Sequence, residues 1–409
     1  MNMTVEEVRK QFPGLAGTVY GKPLVYLDNA ATIQRPASVI DKWTDLTVHH
    51  NANLHRAVHR TAAEATEEYE SARDAVRAFL NAGSREEIIF TSGATASINL
   101  VAFCFGEAMV RPGDEIIISE SEHHSNIVPW QMMCARKGAI LKVLPVDDDG
   151  YLRIDLLENL ISARTRLLCV AQISNVLGII NPIKEIVNIC HSKGCLVLVD
   201  GAQGVVHSGA DVRDLGCDFY AFSGHKVYAA PGTGVLYGRR ELLEQMPPYM
   251  GGGEMIETVR FSGTTYAPLP GKYEAGTQNL AGTPTLKPAL ELAESLRDKE
   301  LTDYIDKVRD YVLDALLSDE RIRLYGVPRG TFNKIPLFSF TVKGAHHEDL
   351  ALLLDKMGVA VRSGQMCAEP LMDRYGVTGM LRASFAPYNT LEEAEYFIES
   401  LNRAISMLV

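Results

Sequence analysis

The sequence predicts an α/β protein built on a largely parallel sheet, followed by a smaller α+β domain. Three observations carry that expectation. Between Glu87 and Tyr237 short apolar runs alternate with helical stretches. The runs are almost continuously apolar, as strands buried on both faces are. After Leu286 the pattern changes to helices with isolated strands. A chain of 409 residues also exceeds the size at which one core keeps growing, so two domains are expected.

Taken in order, residues 1–20 read as a short amphipathic arm that Pro13 and Gly14 end. VYLDNAAT, Val25 to Thr32, reads as a short strand running into a polar turn, where Asp28 and Asn29 are either a turn pair or site residues. A long helix follows in the later part of 51–82. His55 and His59 stand four apart before it, but HRAVH lacks the glutamate of a metalloprotease helix, so no metal is expected. The apolar runs are then EIIF, EIIIS, ILKVLP, LLCVAQ, LVLV and FYAF, with helices from Ala94, from Asn126, near Leu156 and from Ile183. The Gly-, Pro- and Tyr-rich passage 247–285 reads as long ordered loops reaching a neighbouring surface. Beyond it come a helix from Leu286, a helix over Thr302–Ser318, a strand over Ile335–Thr341, a helix over Glu348–Met357 and a strand VAVR.

Composition narrows the function. A net charge of −11 argues against a sequence-independent nucleic-acid binder, and no apolar run approaches the length of a membrane span. The N-terminus mixes acids and bases and lacks a leader pattern. Seven cysteines are sparse and mostly sit in apolar runs, which suggests reduced thiols and a cytoplasmic protein; Cys190 and Cys195 read as buried structural thiols.

In such sheets ligands gather at the carboxyl ends of strands. LVLV ends in Asp200, with Gln203 three residues on, and FYAF ends in Ser223-Gly224-His225-Lys226. A buried carboxylate can hold a pyridinium nitrogen protonated and a buried lysine can form a Schiff base, the two protein groups a pyridoxal phosphate site needs. Thr91-Ser92-Gly93-Ala94-Thr95 opens a helix, which suits a phosphate and equally an ordinary N-cap. His123 follows EIIIS, where its ring could cover a planar cofactor or simply satisfy a hydrogen bond; the adjacent His124 reads as a bystander. Asn175 falls at the same rim. In the C-terminal part, Cys367 sits in a polar loop between Arg362 and Arg382. Such a thiol is either structural or a nucleophilic thiolate, and the guanidinium groups could fork onto a substrate carboxylate.

YLDNAAT, His55-Arg56, EHHSNIVPWQ, ISNVLG, VLVDGAQ, DFYAFSGHKVY, GGGEMI, the EAGT of Glu274 to Thr277, RSGQMCAEPL and RASFAPYNT cover nearly the whole chain. Together they resemble the cysteine desulfurases of the SufS and CsdA kind, in the class V aminotransferase branch of the fold type I pyridoxal phosphate enzymes. The resemblance implies a large domain with a mostly parallel seven-stranded sheet and a smaller C-terminal domain. It divides the chain into an arm (1–20) packing on the small domain, a large cofactor-binding domain (21–285) and a small domain (286–409) carrying Cys367. It implies that Lys226 holds pyridoxal 5'-phosphate and moves the substrate Cα proton. Asp200 pairs with the pyridinium nitrogen, and His123 stacks on the ring. Gln203 and Asn175 lie by the phenolic oxygen, while Ala94, Thr95, Ser223 and His225 surround the phosphate, with Thr277 supplied by a second protomer. Arg382 grips the substrate carboxylate, with Arg362, Asn175, His55 and Arg56 as further substrate contacts.

The implied reaction converts L-cysteine to L-alanine and leaves a persulfide on Cys367. A homodimer is implied, as is a SufE-like or SufU-like acceptor and iron-sulfur cluster assembly downstream. One departure is visible: relatives of this kind usually carry two histidines before the cysteine, where this chain has Gln365 and Met366. A lyase acting on L-selenocysteine, a general class V aminotransferase and a catalytically silent sulfur-relay subunit are the alternatives.

Overall fold

The computed structural model describes residues 3–55, 58–330 and 333–409. Its centre is a sheet of seven strands: β1 (Ile88–Thr91), β2 (Glu115–Ser119), β3 (Ile140–Leu144), β4 (Thr165–Ala171), β5 (Leu196–Asp200), β6 (Phe219–Ser223) and β7 (Gly234–Gly238). Their order is β1-β7-β6-β5-β4-β2-β3, with β2 to β6 all parallel and β7 antiparallel to both neighbours. The pleat sends Val197, Val199, Tyr220 and Phe222 into one core and Leu198, Phe219 and Ala221 into the other. Both faces are covered, which is why these strands read as unbroken apolar runs. The apolar runs do not announce β7, because glycines bracket its Val-Leu-Tyr. Gly234 has to lack a side chain: a Cβ there would lie 2.3 Å from Gly93 Cα.

The smaller lobe is a four-stranded antiparallel sheet, in the order Ile322–Tyr325, Leu337–Val342, Met380–Ser384 and Arg362–Gly364. Its core takes residues from helices Lys299–Leu317, His347–Lys356 and Leu391–Leu408. The expected VAVR strand is two strands. Val359–Ala360 pairs in parallel with Val25–Tyr26, and Arg362–Gly364 pairs with Met380–Ser384. This changes the expected boundary at residue 21. Val25 and Leu27 bury among Phe338, Leu381 and Phe385, and Leu27 exchanges backbone bonds with Ala360 and Ser384, so the chain visits the small lobe before it enters the large one.

The N-terminal helix Val5–Lys10 is capped by Thr4 and Glu7. Arg9 reaches the Glu393 carboxylate at 2.7 Å and the Tyr388 carbonyl at 3.1 Å. Phe12 lies between Tyr388 (4.6 Å) and Tyr228 (5.7 Å), so the arm touches both lobes.

Other elements shift for local reasons. The helix expected from Asn126 is a 3₁₀ turn, His124–Asn126, followed by helix Val128–Lys137 with Pro129 in its first turn. The helix near Leu156 is only Leu157–Leu160. The helix expected from Thr302 starts at Lys299, where Asp298 caps the Glu300 amide. The passage 247–285 contains an exposed hairpin, Ile256–Arg260 with Gly263–Tyr266, rather than loops alone. Its β-branched Thr258 and Thr265 hydrogen-bond across it at 2.7 Å, and Gly263 sits at its turn. Among the described residues no helix is long and apolar enough to cross a membrane.

Candidate active site

The carboxyl ends of β4, β5 and β6 open into a cavity of about 260 Å³, closed on its other side by the small lobe. Ala94, Thr95, His123, Asn175, Asp200, Gln203, Ser223, His225, Lys226, Arg362, Cys367 and Arg382 line it. Register explains part of this. Asp200 sits between Ala171 and Ala221 in the sheet, whose small side chains leave room beside it.

Asp200 is buried and accepts the Ala202 N–H at 2.9 Å. Burial raises its carboxyl pKa, and the charge of Lys226 opposes that rise. Burial lowers the Lys226 ammonium in turn, with Asp200 as the chief opposing charge. At the far end Gly93 precedes helix Ala94–Met109, and the Ala94 N–H donates to Ser223 Oγ at 2.8 Å. The helix start thus presents amide and hydroxyl groups to the cavity. His225 Nδ1 lies 3.2 Å from Thr32 Oγ1, and burial pushes the ring down to about 4. Gln203 is spent on structure as well: its Nε2 donates to the Ala30 carbonyl at 2.8 Å.

His123 lies against Ser125, whose N–H donates to Nδ1 at 3.1 Å and whose Oγ stands 2.8 Å from it. Burial pushes this ring to about 4, helped by the positive charge of Lys226. Beside it is a residue that the sequence reading passed over, Glu122. Its fully buried carboxylate accepts from Ser119 Oγ (2.5 Å), the Ala171 N–H (2.9 Å) and Asn126 Nδ2 (2.7 Å), so it ties the ends of β2 and β4 together. Burial raises its pKa to about 7. Its place three residues after a strand end, before His123, was the signal available in the sequence.

On the small-lobe side Arg382 is buried. Its Nη1 donates to the Asn175 carbonyl at 2.8 Å and its Nη2 to Asp28 Oδ1 at 3.2 Å, while its buried Nε has no hydrogen-bond partner among the described residues. Burial lowers its pKa to about 10. Arg362 reaches the same Asp28 carboxylate at 3.1 Å and 3.2 Å. Of the two roles open to Asp28, the structure therefore gives it a place between two arginines. Asn29 instead fastens this turn to the small lobe, donating to the Ser384 carbonyl at 2.7 Å and accepting from Tyr388 Oη. Cys367 is exposed, whereas the other six cysteines are buried and all seven are free. The Asn175 side chain turns to this thiol loop, Nδ2 donating to the Met366 carbonyl at 2.9 Å.

Two of the expected site residues are elsewhere in this chain. Thr277 lines a separate groove with Tyr69, Phe90 and Tyr249. His55 lies 3.8 Å from Glu70 and edge-on to Tyr69. Arg56 lies outside the described residues.

The class-V aminotransferase family matches residues 25–397. A cysteine desulfurase of Serratia proteamaculans is 46% identical over 409 residues, covering all of both chains. Among solved structures, the cysteine desulfurase CsdA of Escherichia coli superposes with a TM-score of 0.91 at 41% identity over the full length of both chains. A cysteine desulfurase of Thermococcus onnurineus NA1 has the same TM-score at 34% identity, covering 97% of this chain and 99% of that one. With Lys226 and the buried Asp200 carboxylate at the strand ends and the thiol across the same cavity, the chain belongs to the class-V aminotransferases, and within them to the cysteine desulfurases.

Proposed function

We propose that the chain binds pyridoxal 5'-phosphate and uses it to move sulfur from L-cysteine to Cys367. The observation that carries this is the convergence of Lys226, Asp200 and an exposed Cys367 on one cavity. The residues fit the cofactor. Burial favours the free amine of Lys226 that a Schiff base requires, and Asp200 is a buried acceptor suited to a ring N–H. Gly93, the start of helix Ala94–Met109 and Ser223 form a cradle for a phosphate. His123 stands where a ring could be covered. When bound, the cofactor supplies an electron sink for bonds at the substrate carbons.

The remaining work belongs to the chain. Arg382 presents a buried guanidinium to the substrate carboxylate, with Arg362 beside it. Lys226 takes and returns the Cα proton, and His123 serves in proton transfer. Cys367 Sγ forms a bond to the substrate sulfur as the C–S bond breaks, leaving its electron pair on carbon. Protonation there yields the methyl group of L-alanine, and the protein keeps a persulfide. Exposure of Cys367 suits onward transfer to an acceptor protein of the SufE-like or SufU-like kind, and so to iron-sulfur cluster assembly. The placement of Thr277 and His55 outside the Lys226 cavity supports a homodimer in which each chain completes its partner's site.

The test combines spectroscopy and mass. The purified protein should show the visible absorbance of a lysine Schiff base, lost in Lys226→Ala. L-cysteine should yield alanine and add one sulfur to Cys367. Unchanged turnover of L-cysteine by Cys367→Ala would overturn the assignment, and loss of L-cysteine but not L-selenocysteine turnover would favour the selenocysteine lyase.

A further inference from the structure

Met366 and Cys367 both adopt left-handed backbone angles, φ +54° and +55°. Side chains rarely accept that conformation, and two in succession persist only where surrounding contacts hold them. The holding contacts come largely from one residue of the large lobe. The His124 N–H donates to the Cys367 carbonyl at 2.7 Å, and the Glu369 N–H donates to His124 Nε2 at 3.0 Å. Asn175 grips the Met366 carbonyl, and the Met366 side chain is buried. His124 therefore brackets the thiol residue, bonded to its carbonyl on one side and to the amide two residues on with its ring.

The neighbouring position sharpens the point. His123 lines the cavity and His124 opens the 3₁₀ turn that follows, so one turn carries both the cavity ring and the grip on the thiol loop. The Glu369 amide also occupies Nε2, which leaves that nitrogen no lone pair with which to take the thiol proton. Gln365 and Met366, standing where relatives usually carry histidines, place no imidazole on the loop itself.

We infer that His124 is a positioning residue for the sulfur-transfer step: its ring nitrogen holds the Glu369 amide and thereby keeps Cys367 in the conformation that faces the cavity. This rests on the reading that Cys367 attacks the substrate sulfur. Loss of the bond lets the Met366–Cys367 pair relax toward ordinary backbone angles and displaces Sγ, while substrate binding by Arg382 is untouched. Misplacing a reacting atom by about 1 Å costs roughly a hundredfold in rate.

The experiment uses the full-length holoenzyme with His124→Ala and His124→Gln, the amide oxygen of glutamine being able to accept the same N–H. In His124→Ala, single-turnover persulfide formation on Cys367 should fall about 10- to 100-fold, with KM for L-cysteine and the cofactor absorbance nearly unchanged. Peptide-level hydrogen exchange over 364–371 should quicken, and the rate of Cys367 alkylation by iodoacetamide, which the six buried cysteines do not obscure, should change. His124→Gln should restore all three. Should His124→Ala lose the cofactor, Glu369→Pro removes the same bond from the donor side, at a first helical position that suits proline, and must slow transfer where Glu369→Ala does not. Equal persulfide rates in parent, His124→Ala and Glu369→Pro overturn the positioning role alone. A parent that makes alanine without sulfur on Cys367 overturns the reaction reading, and the positioning role with it.

Discussion

Arg362 and Arg382 stand directly opposite each other on adjacent antiparallel strands, and the carboxylate of Asp28 reaches both. Like charges facing across a ladder repel, and Arg382 is buried as well. Asp28 offsets both costs, and Arg382 keeps its charge with a carboxylate already in place. Asp28→Ala should therefore destabilise the protein by about 2–4 kcal/mol, the scale of an uncompensated buried charge. Asp28→Ala/Arg382→Met should recover much of that in urea unfolding. Additive losses in the double variant would show that Asp28 does not act through Arg382.

The Glu122 network makes a sharper test. All three of its partners donate, and Asn126 cannot turn its amide without orphaning the Trp130 indole N–H, which donates to Asn126 Oδ1 at 2.9 Å. Glu122→Gln places a donor against a donor, with an expected cost of about 1–3 kcal/mol. Trp130→Phe frees Asn126 to flip, so the glutamine should cost less in that background. A thermal-melt double-mutant cycle with zero coupling would contradict the network.

Arg73 and Glu274 are both buried and paired through two bonds, 2.7 Å and 2.8 Å, while Glu274 also accepts the Phe90 N–H at 2.8 Å. The pair anchors the segment that carries Thr277 to the large lobe. Glu274→Ala leaves the arginine only the partly exposed Glu70 carboxylate, at 3.1 Å and 3.3 Å, and should cost about 2–4 kcal/mol, more than Arg73→Met/Glu274→Leu together. Chemical unfolding of both variants reads the difference. A double variant as damaged as the single one would show that the arginine's lost buried partner does not carry the cost.

Acid should weaken the cofactor-free fold through His123. Its folded value of about 4 lies below the ordinary 6.5, so the unfolded chain binds the proton first. The contribution is whole above pH 6.5 and is lost as pH falls toward 4, with at most about 2 kcal/mol gone by pH 5 before solvent screening. His225 has the same sign. Urea midpoints at pH 7 and pH 5 should therefore differ less for His123→Asn than for the parent; an equal drop would remove His123 from the cause.

What the sequence determined is what short-range chemistry can write. Strands buried on both faces must be apolar throughout, so β5 and β6 and the polar residues ending them, Asp200 and Lys226, were legible as runs with a site at their tips. Sequence motifs likewise marked Cys367, Arg382 and the helix start at Ala94. The tertiary structure decided what depends on which distant groups meet. Asp28 became a counterion only because Val25–Tyr26 pairs with Val359–Ala360 and carries it to Arg362 and Arg382. Glu122 and His124 gained partners 49 and 245 residues away. No local period encodes such bonds: their energies follow from burial and from satisfying a donor or acceptor in the folded chain, and that environment exists only once both lobes close on the cavity.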